Sequence, residues 1–353
     1  MFLALKEIKY SKLRYGLIIT MILLISYLIF VLTSLAVGLA SQNTQAINSW
    51  NPARIVLNKN SNVNVSQSLI MQSDLEKVHL NPKQDDLIGA APVVATGNHE
   101  KVSSQFVGLD PNQYIAKDLQ LISGHKARNQ QQVVVDQKFQ QAGYHLGDKL
   151  RFNSSKEQYE IVGFVKNAKF NIAPVVYGSL PTWHTLRNLG NQFAGSAVLS
   201  KRANFQIPSQ QLHSYTTKTV VNNLPGYTAQ TLTFTLMIGF LMIISLIIIA
   251  VFLYILTMQK LPNYAVLRAQ GIPAGKLVKS TMAQTLILVV SGIGAGFILM
   301  GLTLLVLPSA VPVAFSLPIM LGTVVGLLGT SMLGALLPAL LIVRINPADA
   351  IGG

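Results

Sequence analysis

The chain has no cysteine. That excludes disulfides and fits an exported domain that does without them. Charge is scarce too. Only 11% of the 353 residues are Asp, Glu, Lys or Arg, where soluble domains carry about a quarter. The deficit is concentrated in four apolar runs at 15–39, 232–258, 283–307 and 317–343, none of which holds a charged residue. Each exceeds the roughly 20 residues that cross a hydrocarbon core of about 30 Å. Ion-coupled carriers need ionisable groups inside the membrane. Their lack argues against a proton- or sodium-driven carrier and against a hydrophilic pore. If the protein moves a cargo, a partner supplies the energy, and the cargo is amphipathic or lipid-associated.

Catalytic patterns are also missing. The six histidines are scattered, with no pair at the i, i+4 spacing of a helical zinc site. No serine stands in a nucleophile elbow. The adjacent Asp85 and Asp86 read as a solvated loop rather than an acid/base pair. The chain therefore reads as no enzyme, with no catalytic residue, no metal site and no intrinsic cofactor.

What is present is a plan. A membrane α-helical fold with four transmembrane helices carries one large α+β domain between the first and second. The expected divisions are an interfacial segment 1–14, helix one 15–39, an extracytoplasmic domain 40–231, and helix two 232–258. A cytoplasmic loop 259–280, helix three 283–307, an outer loop 308–316, helix four 317–343 and a tail 344–353 follow. The first run is longer than the 7–15 residues of a signal-peptide core, so it reads as a retained span.

Basic residues near span ends orient such a chain. Lys6, Lys9, Lys12 and Arg14 precede the first run, and Lys260, Arg268, Lys276 and Lys279 occupy 259–280 with no acid. This places both termini and the 259–280 loop in the cytoplasm of a multi-pass cell-membrane protein. The net charge of +14 then serves orientation and contact with anionic membrane lipid, not nucleic acid.

In the large domain, strands are expected at 54–58, 87–97, 102–109, 132–136, 158–165 and 196–200, from β-branched content and alternation. Helices are expected at 66–80 and 209–224, with Ser66 and Ser209 as N-caps. The stretch 137–152 reads as a short helix ended by Gly143, a turn at Gly147–Asp148, then a strand. In the membrane runs, Gly292 and Gly296, and Gly322 and Gly326, stand four apart. Such spacing lets helices approach closely, either within one chain or at a dimer seam.

The stretch "GIPAGK" (271–276) resembles a phosphate-binding loop only superficially. Its glycines are too close, Leu277 replaces the required hydroxyl, and Pro273 removes an amide donor. The alternative is a short helix "NYAVLRAQ" (263–270) ended by Gly271, with Pro273 opening the next helix. Tyr264, Leu267 and Gly271 would share one side, with Arg268 on another. Such an element suits docking in a partner's groove.

The order span, large domain, three spans resembles the FtsX/MacB-type permeases of ABC transporters. "NYAVLRAQGIPAGKLVKSTMAQT" (263–285) is similar to that family's cytoplasmic coupling loop. "GYHLGDKLRF" (143–152) and "VRINPADAI" (343–351) are similar to its domain turn and C-terminal ending. Within the family, "MFLALKEIKYSKLRYGLI" (1–18), "GLASQNTQAI" (38–47) and "NNLPGYTAQTLTF" (222–234) resemble the HrtB-like haem exporter permeases.

The resemblance implies one half of a homodimer that works with a separate cytoplasmic ABC ATPase. It would expel haem by mechanotransmission, haem being substrate and not resident cofactor. It also implies haem capture at the outer membrane edge, where Tyr227 and Tyr177 are candidates as iron ligands or interfacial tyrosines. Some members use a methionine in the first span and an acid at the start of the second. This chain offers Ile29 and Gln230 in those regions, with Met237 as a substitute. The same fold is compatible with a peptide antibiotic, lipid or lipoprotein cargo, and with a signalling subunit that regulates a cell-wall hydrolase.

Overall fold

The computed structural model describes residues 12–76, 78–308 and 311–344. Most of the N-terminal segment, two residues of the 308–316 loop and nearly all of the C-terminal ending therefore lie outside the described residues. The chain divides into two compact units: Leu39–Gln230, and a second built from Met1–Gly38 with Thr231–Gly353.

The second unit holds helices long and apolar enough to cross a membrane. Among the described residues, four run over Lys12–Trp50, Tyr227–Ala269, Ala274–Val306 and Leu317–Val343. The first and second each begin or end among residues of the other unit. Inside the helical unit, Ile22, Ile29, Phe30, Ile249, Leu288, Val289, Leu327 and Ala335 form the buried seam. The small residues decide how close the helices come. A Cβ at Gly292 would fall 2.6 Å from Ile22 Cγ2, and one at Gly296 would fall 2.3 Å from Ser26 Oγ. Ser26 also donates to the Gly292 carbonyl at 3.4 Å. The Gly292–Gly296 face is therefore filled by the first helix of the same chain. Gly334 packs likewise on the second helix, where a Cβ would lie 3.0 Å from the Leu246 carbonyl oxygen.

The domain unit is built on thirteen strands: β1 (Arg54–Asn58), β2 (Ile70–Met71), β3 (Asp85–Thr96), β4 (Val102–Leu109), β5 (Leu121–Gly124), β6 (Gln132–Asp136), β7 (Lys149–Phe152), β8 (Tyr159–Val165), β9 (Lys169–Phe170), β10 (Ala173–Ser179), β11 (Phe193–Gly195), β12 (Ala197–Ser200) and β13 (Leu212–Thr216). Eleven of them form one mixed sheet in the order β13-β1-β12-β3-β4-β10-β6-β8-β5, with β7 joining β3 to β8 and β9 flanking β10. The pairs β4–β10 and β6–β8 are parallel.

Both faces of the sheet are covered, and period-two alternation sorts the side chains. Val134, Val107, Val175 and Tyr177 enter one core with Ala46, Ile47 and Trp50 from the first long helix. Val133, Val135, Phe106 and Val176 enter the other with Phe139, Phe152 and Trp183.

Several expectations are corrected. Residues 66–80 are not one helix: Ile70 is fully buried in a two-residue strand paired with β11, and of the described residues in this range only Gln72–Leu75 is helical. The stretch 209–224 splits into β13, which pairs with β1 at the sheet edge, and a helix Thr217–Asn222. Thr216 caps that helix, accepting from the Thr219 N–H at 3.1 Å. Ser209 instead donates to Asp74 at 2.8 Å. Burial of Ile70 and Leu212 and pairing with a waiting edge outweigh helical propensity here. Asp85 and Asp86 are not a solvated loop. They begin β3 and are fully buried. Asp85 accepts from Asn81 N–H at 2.8 Å, Ser200 Oγ at 2.7 Å and Arg202 Nε at 3.1 Å, and also pairs with Arg202 Nη2.

Candidate functional site

A tight turn joins the second and third long helices. "NYAVLRAQ" is not a separate helix. All of it but Gln270 is the last part of Tyr227–Ala269, which tolerates Pro262 within it. The helix ends in a Schellman turn. Gly271 takes φ +88, its N–H reaches the Arg268 carbonyl at 3.0 Å, and the Ile272 N–H reaches the Leu267 carbonyl at 3.1 Å. Leu267 and Ile272, the hydrophobic partners such a turn brings together, pack on Tyr264, Leu277 and Ile342. Pro273 in extended conformation then opens the third helix.

This geometry reassigns the expected docking residues. Tyr264 is not on the surface. It is 7% exposed, and its hydroxyl lies 3.2 Å from Thr281 Oγ1. It therefore holds the turn together. Leu267 and Arg268 are half-buried, and Gly271 is exposed. Val266, which sequence reasoning passed over, is 52% exposed on the last turn of the helix. Lys276 and Lys279, in the first turns of the third long helix, are exposed as well. Lys260 is engaged inside its own unit, donating to Tyr15 Oη at 2.8 Å and Gln284 Oε1 at 3.0 Å. The exposed surface of the turn thus combines Val266 with Asn263, Gln270, Gly271, Lys276 and Lys279.

The residues expected to meet haem are divided between the units. In the domain, Tyr177 is interior. It is 2% exposed, and its hydroxyl accepts from Trp50 Nε1 at 3.1 Å. Burial pushes its phenol well above the usual tyrosine range, so it is neutral. For Tyr177 to ligate iron, the core that encloses it would have to open. Tyr227 begins the second long helix and is half-buried against the same core. Gln230, one turn on, is also half-buried. In the helical unit, Met237 is 42% exposed, whereas Ile29 is fully enclosed. Ile29, the residue offered in the first span for a haem-facing methionine, is a packing residue here.

The domain also carries a cleft of about 470 Å³, within the usual range for small-molecule pockets. Leu109, Ala116, Leu119, Leu180 and Pro181 supply apolar walls, and Asp110, Lys126 and Arg128 supply charge. The Lys126 ammonium donates to the Lys117 carbonyl. A second cleft, of about 380 Å³, lies beside Trp50, Tyr114 and Ala168, and Tyr177 borders both.

Two family models match the chain. The MacB-like periplasmic core domain covers residues 17–207, and the FtsX-like permease C-terminal region covers 235–347. The chain is 25% identical over 360 residues to a protein of Staphylococcus epidermidis provisionally named hemin transport system permease protein HrtB, across 99% of each chain. A protein of the same provisional name from Staphylococcus haemolyticus is 24% identical over 356 residues, again across 99% of each. Among solved structures, the extracellular domain of the noncanonic ABC-type transporter YknZ from Gram-positive bacteria covers 44% of this chain and 83% of its own. It does so at 14% identity and a TM-score of 0.31.

Proposed function

The chain belongs to the FtsX/MacB-type ABC transporter permeases, and on that premise we propose that it is the membrane subunit of an ATP-driven exporter whose cargo is haem. The observation that carries the cargo is the likeness to hemin permeases over nearly the whole chain, domain and helices alike. Haem is amphipathic and partitions into membranes, which agrees with apolar runs at 15–39, 232–258, 283–307 and 317–343 that carry no charge for an aqueous path.

ATP is hydrolysed in a separate subunit. The one stretch of this chain that resembles a phosphate loop is spent on a Schellman turn and a helix start. That turn, with Val266 outward and Arg268, Lys276 and Lys279 around it, is the docking point for the ATPase. Motion there is passed on by the first and second long helices, which contribute residues to both units. Haem is met near Tyr227 and Gln230 at the head of the second helix, with Met237 further along it.

Self-association is part of the same reading. The Gly292–Gly296 face is occupied within the chain. The second helix, by contrast, exposes Leu232, Leu236, Phe240, Ile243, Ile247, Val251, Tyr254 and Met258. These recur every three or four residues, the spacing of a helix seam. A second copy sits along this ridge, and lipid covers what it leaves open.

The test is a deletion strain with plasmid-borne rescue. Loss of haem tolerance, restored by the wild-type chain, supports the reading. Unchanged tolerance, together with no Soret shift when the purified protein is titrated with haem, refutes it.

A further inference from the structure

Histidines that are scattered in sequence meet in the fold. The exit of β3 pairs with β7, Thr96 opposite Arg151 and Ala95 opposite Phe152. This pairing sets the turn after β3, which carries His99, against the turn before β7, which carries His145 and Asp148. His99 Nε2 lies 3.5 Å from Asp148 Oδ2, and His145 Nδ1 lies 3.9 Å from the same oxygen. One ligand atom from each residue falls within 4.8 Å of the others.

Two of the three groups are already held in place. Asp148 Oδ2 accepts the His145 main-chain N–H at 2.7 Å, which fixes the carboxylate in its turn. The His99 ring stands edge-on to Tyr144 at 5.0 Å, and the Tyr144 hydroxyl is anchored on the Glu100 carbonyl at 3.0 Å. His145 is the most exposed member, with 79% of its side chain open to solvent.

In a tetrahedral site with metal–ligand distances near 2.0–2.1 Å, ligand atoms are about 3.4 Å apart. The His99–Asp148 pair already has that separation, and a rotamer change of the exposed His145 closes the rest. Two imidazoles and one carboxylate suit a borderline transition metal, not calcium or magnesium, which take oxygen donors. Three protein ligands also leave a coordination position open to water or a further ligand.

We propose that His99, His145 and Asp148 form a surface site for one divalent transition ion such as Zn(II). The ion ties the turn after β3 to the turn before β7. The site is independent of the haem reading, since neither its residues nor its test involves haem.

The experiment uses the full chain in detergent, purified without a polyhistidine tag, and titrated calorimetrically with Zn(II). Wild type binds one equivalent per chain, and zinc raises its unfolding temperature. His145→Ala and Asp148→Asn each weaken binding at least about tenfold and remove the thermal shift. His213→Ala, at a distant histidine, changes neither. Both ligand variants are made at partly or largely exposed side chains, and their metal-free melting reports whether they fold. Equal zinc affinity in wild type and His145→Ala overturns the site, as does a wild type that takes up no zinc.

Discussion

Two neighbouring glycines make opposite predictions. Gly271 sits at φ +88, and a Cβ there would meet no atom within 4 Å. Gly271→Ala therefore introduces no clash, and its whole effect is backbone strain. An L residue in the left-handed region costs about 1–2 kcal/mol. Gly275 lies inside the third helix, also with no atom within 4 Å of its Cβ. There, Gly275→Ala removes backbone freedom from the unfolded chain and gains about 0.5 kcal/mol.

The two alanine variants should thus differ by about 2 kcal/mol, a factor of roughly 30 in the opening equilibrium of the turn. Gly271→Asn should fall between them, because asparagine tolerates the left-handed region. The assay is amide hydrogen exchange across 264–280, above all at Gly271 and Ile272, whose N–H groups close the turn. The purified permease–ATPase complex then reports stimulated ATP hydrolysis, which Gly271→Ala lowers and Gly275→Ala leaves intact. Exchange slowed equally by both substitutions would show that no Schellman turn forms, and would remove the structural basis for docking there.

Three further outcomes are expected. Burial holds the Asp86 carboxyl up at about 8, against the opposing N–H of Ile115 at 2.9 Å. From the ordinary carboxylate range near 4 up to about 8, the folded state keeps a proton that the unfolded chain has released. Stability therefore falls as pH rises through that window, by up to about 1.4 kcal/mol per pH unit. Asp86→Asn should flatten this share of the decline in thermal melts between pH 5 and 8.5. The buried Asp136, also raised by desolvation, keeps its own share. An unchanged slope in the variant would contradict the assignment.

Gly296→Leu should lower the melting temperature and yield of the detergent-solubilised chain. A Cβ alone already falls 2.3 Å from Ser26 Oγ and 3.0 Å from the Leu23 carbonyl oxygen, and overpacking of this kind costs about 1–3 kcal/mol or more. Finally, because the chain has no cysteine, single cysteines report self-association without background. Phe240→Cys or Ile247→Cys should crosslink in membranes and Ile298→Cys, exposed on the third long helix, should not; the reverse pattern would move the dimer seam.

The parts of the fold visible in the sequence are those set by local composition. Charge-free runs mark the four long helices, and the strands at 54–58, 102–109 and 132–136 coincide with β1, β4 and β6, where valines and isoleucines cluster. What stayed hidden depends on pairing at a distance. β10, with Val175, Val176 and Tyr177, lies between β4 and β6 in the sheet, yet Pro174 and Gly178 break its pattern.

Asp85 and Asp86 read as loop residues because nothing nearby in sequence announces Arg202 and Ser200, which enclose one of them. His99 and His145 are likewise neighbours only through the β3–β7 ladder. At the turn, Gly271 and Pro273 were sufficient to locate the helix end. That Tyr264 faces inward depends on Thr281 and Leu277 of the following helix, which short-range spacing does not reveal.

The central claim is that ATP hydrolysis by a partner drives haem out of the membrane through this chain. It is tested most directly in proteoliposomes that hold haem in the bilayer and carry this permease with the ATPase that copurifies from native membranes. Transfer of haem to an external haem-binding protein is followed in the Soret band. The account predicts release that requires hydrolysable ATP and is lost when Val266→Asp is combined with Arg268→Glu at the docking turn. Release that proceeds at the same rate without ATP, or not at all while ATP is hydrolysed, would contradict it.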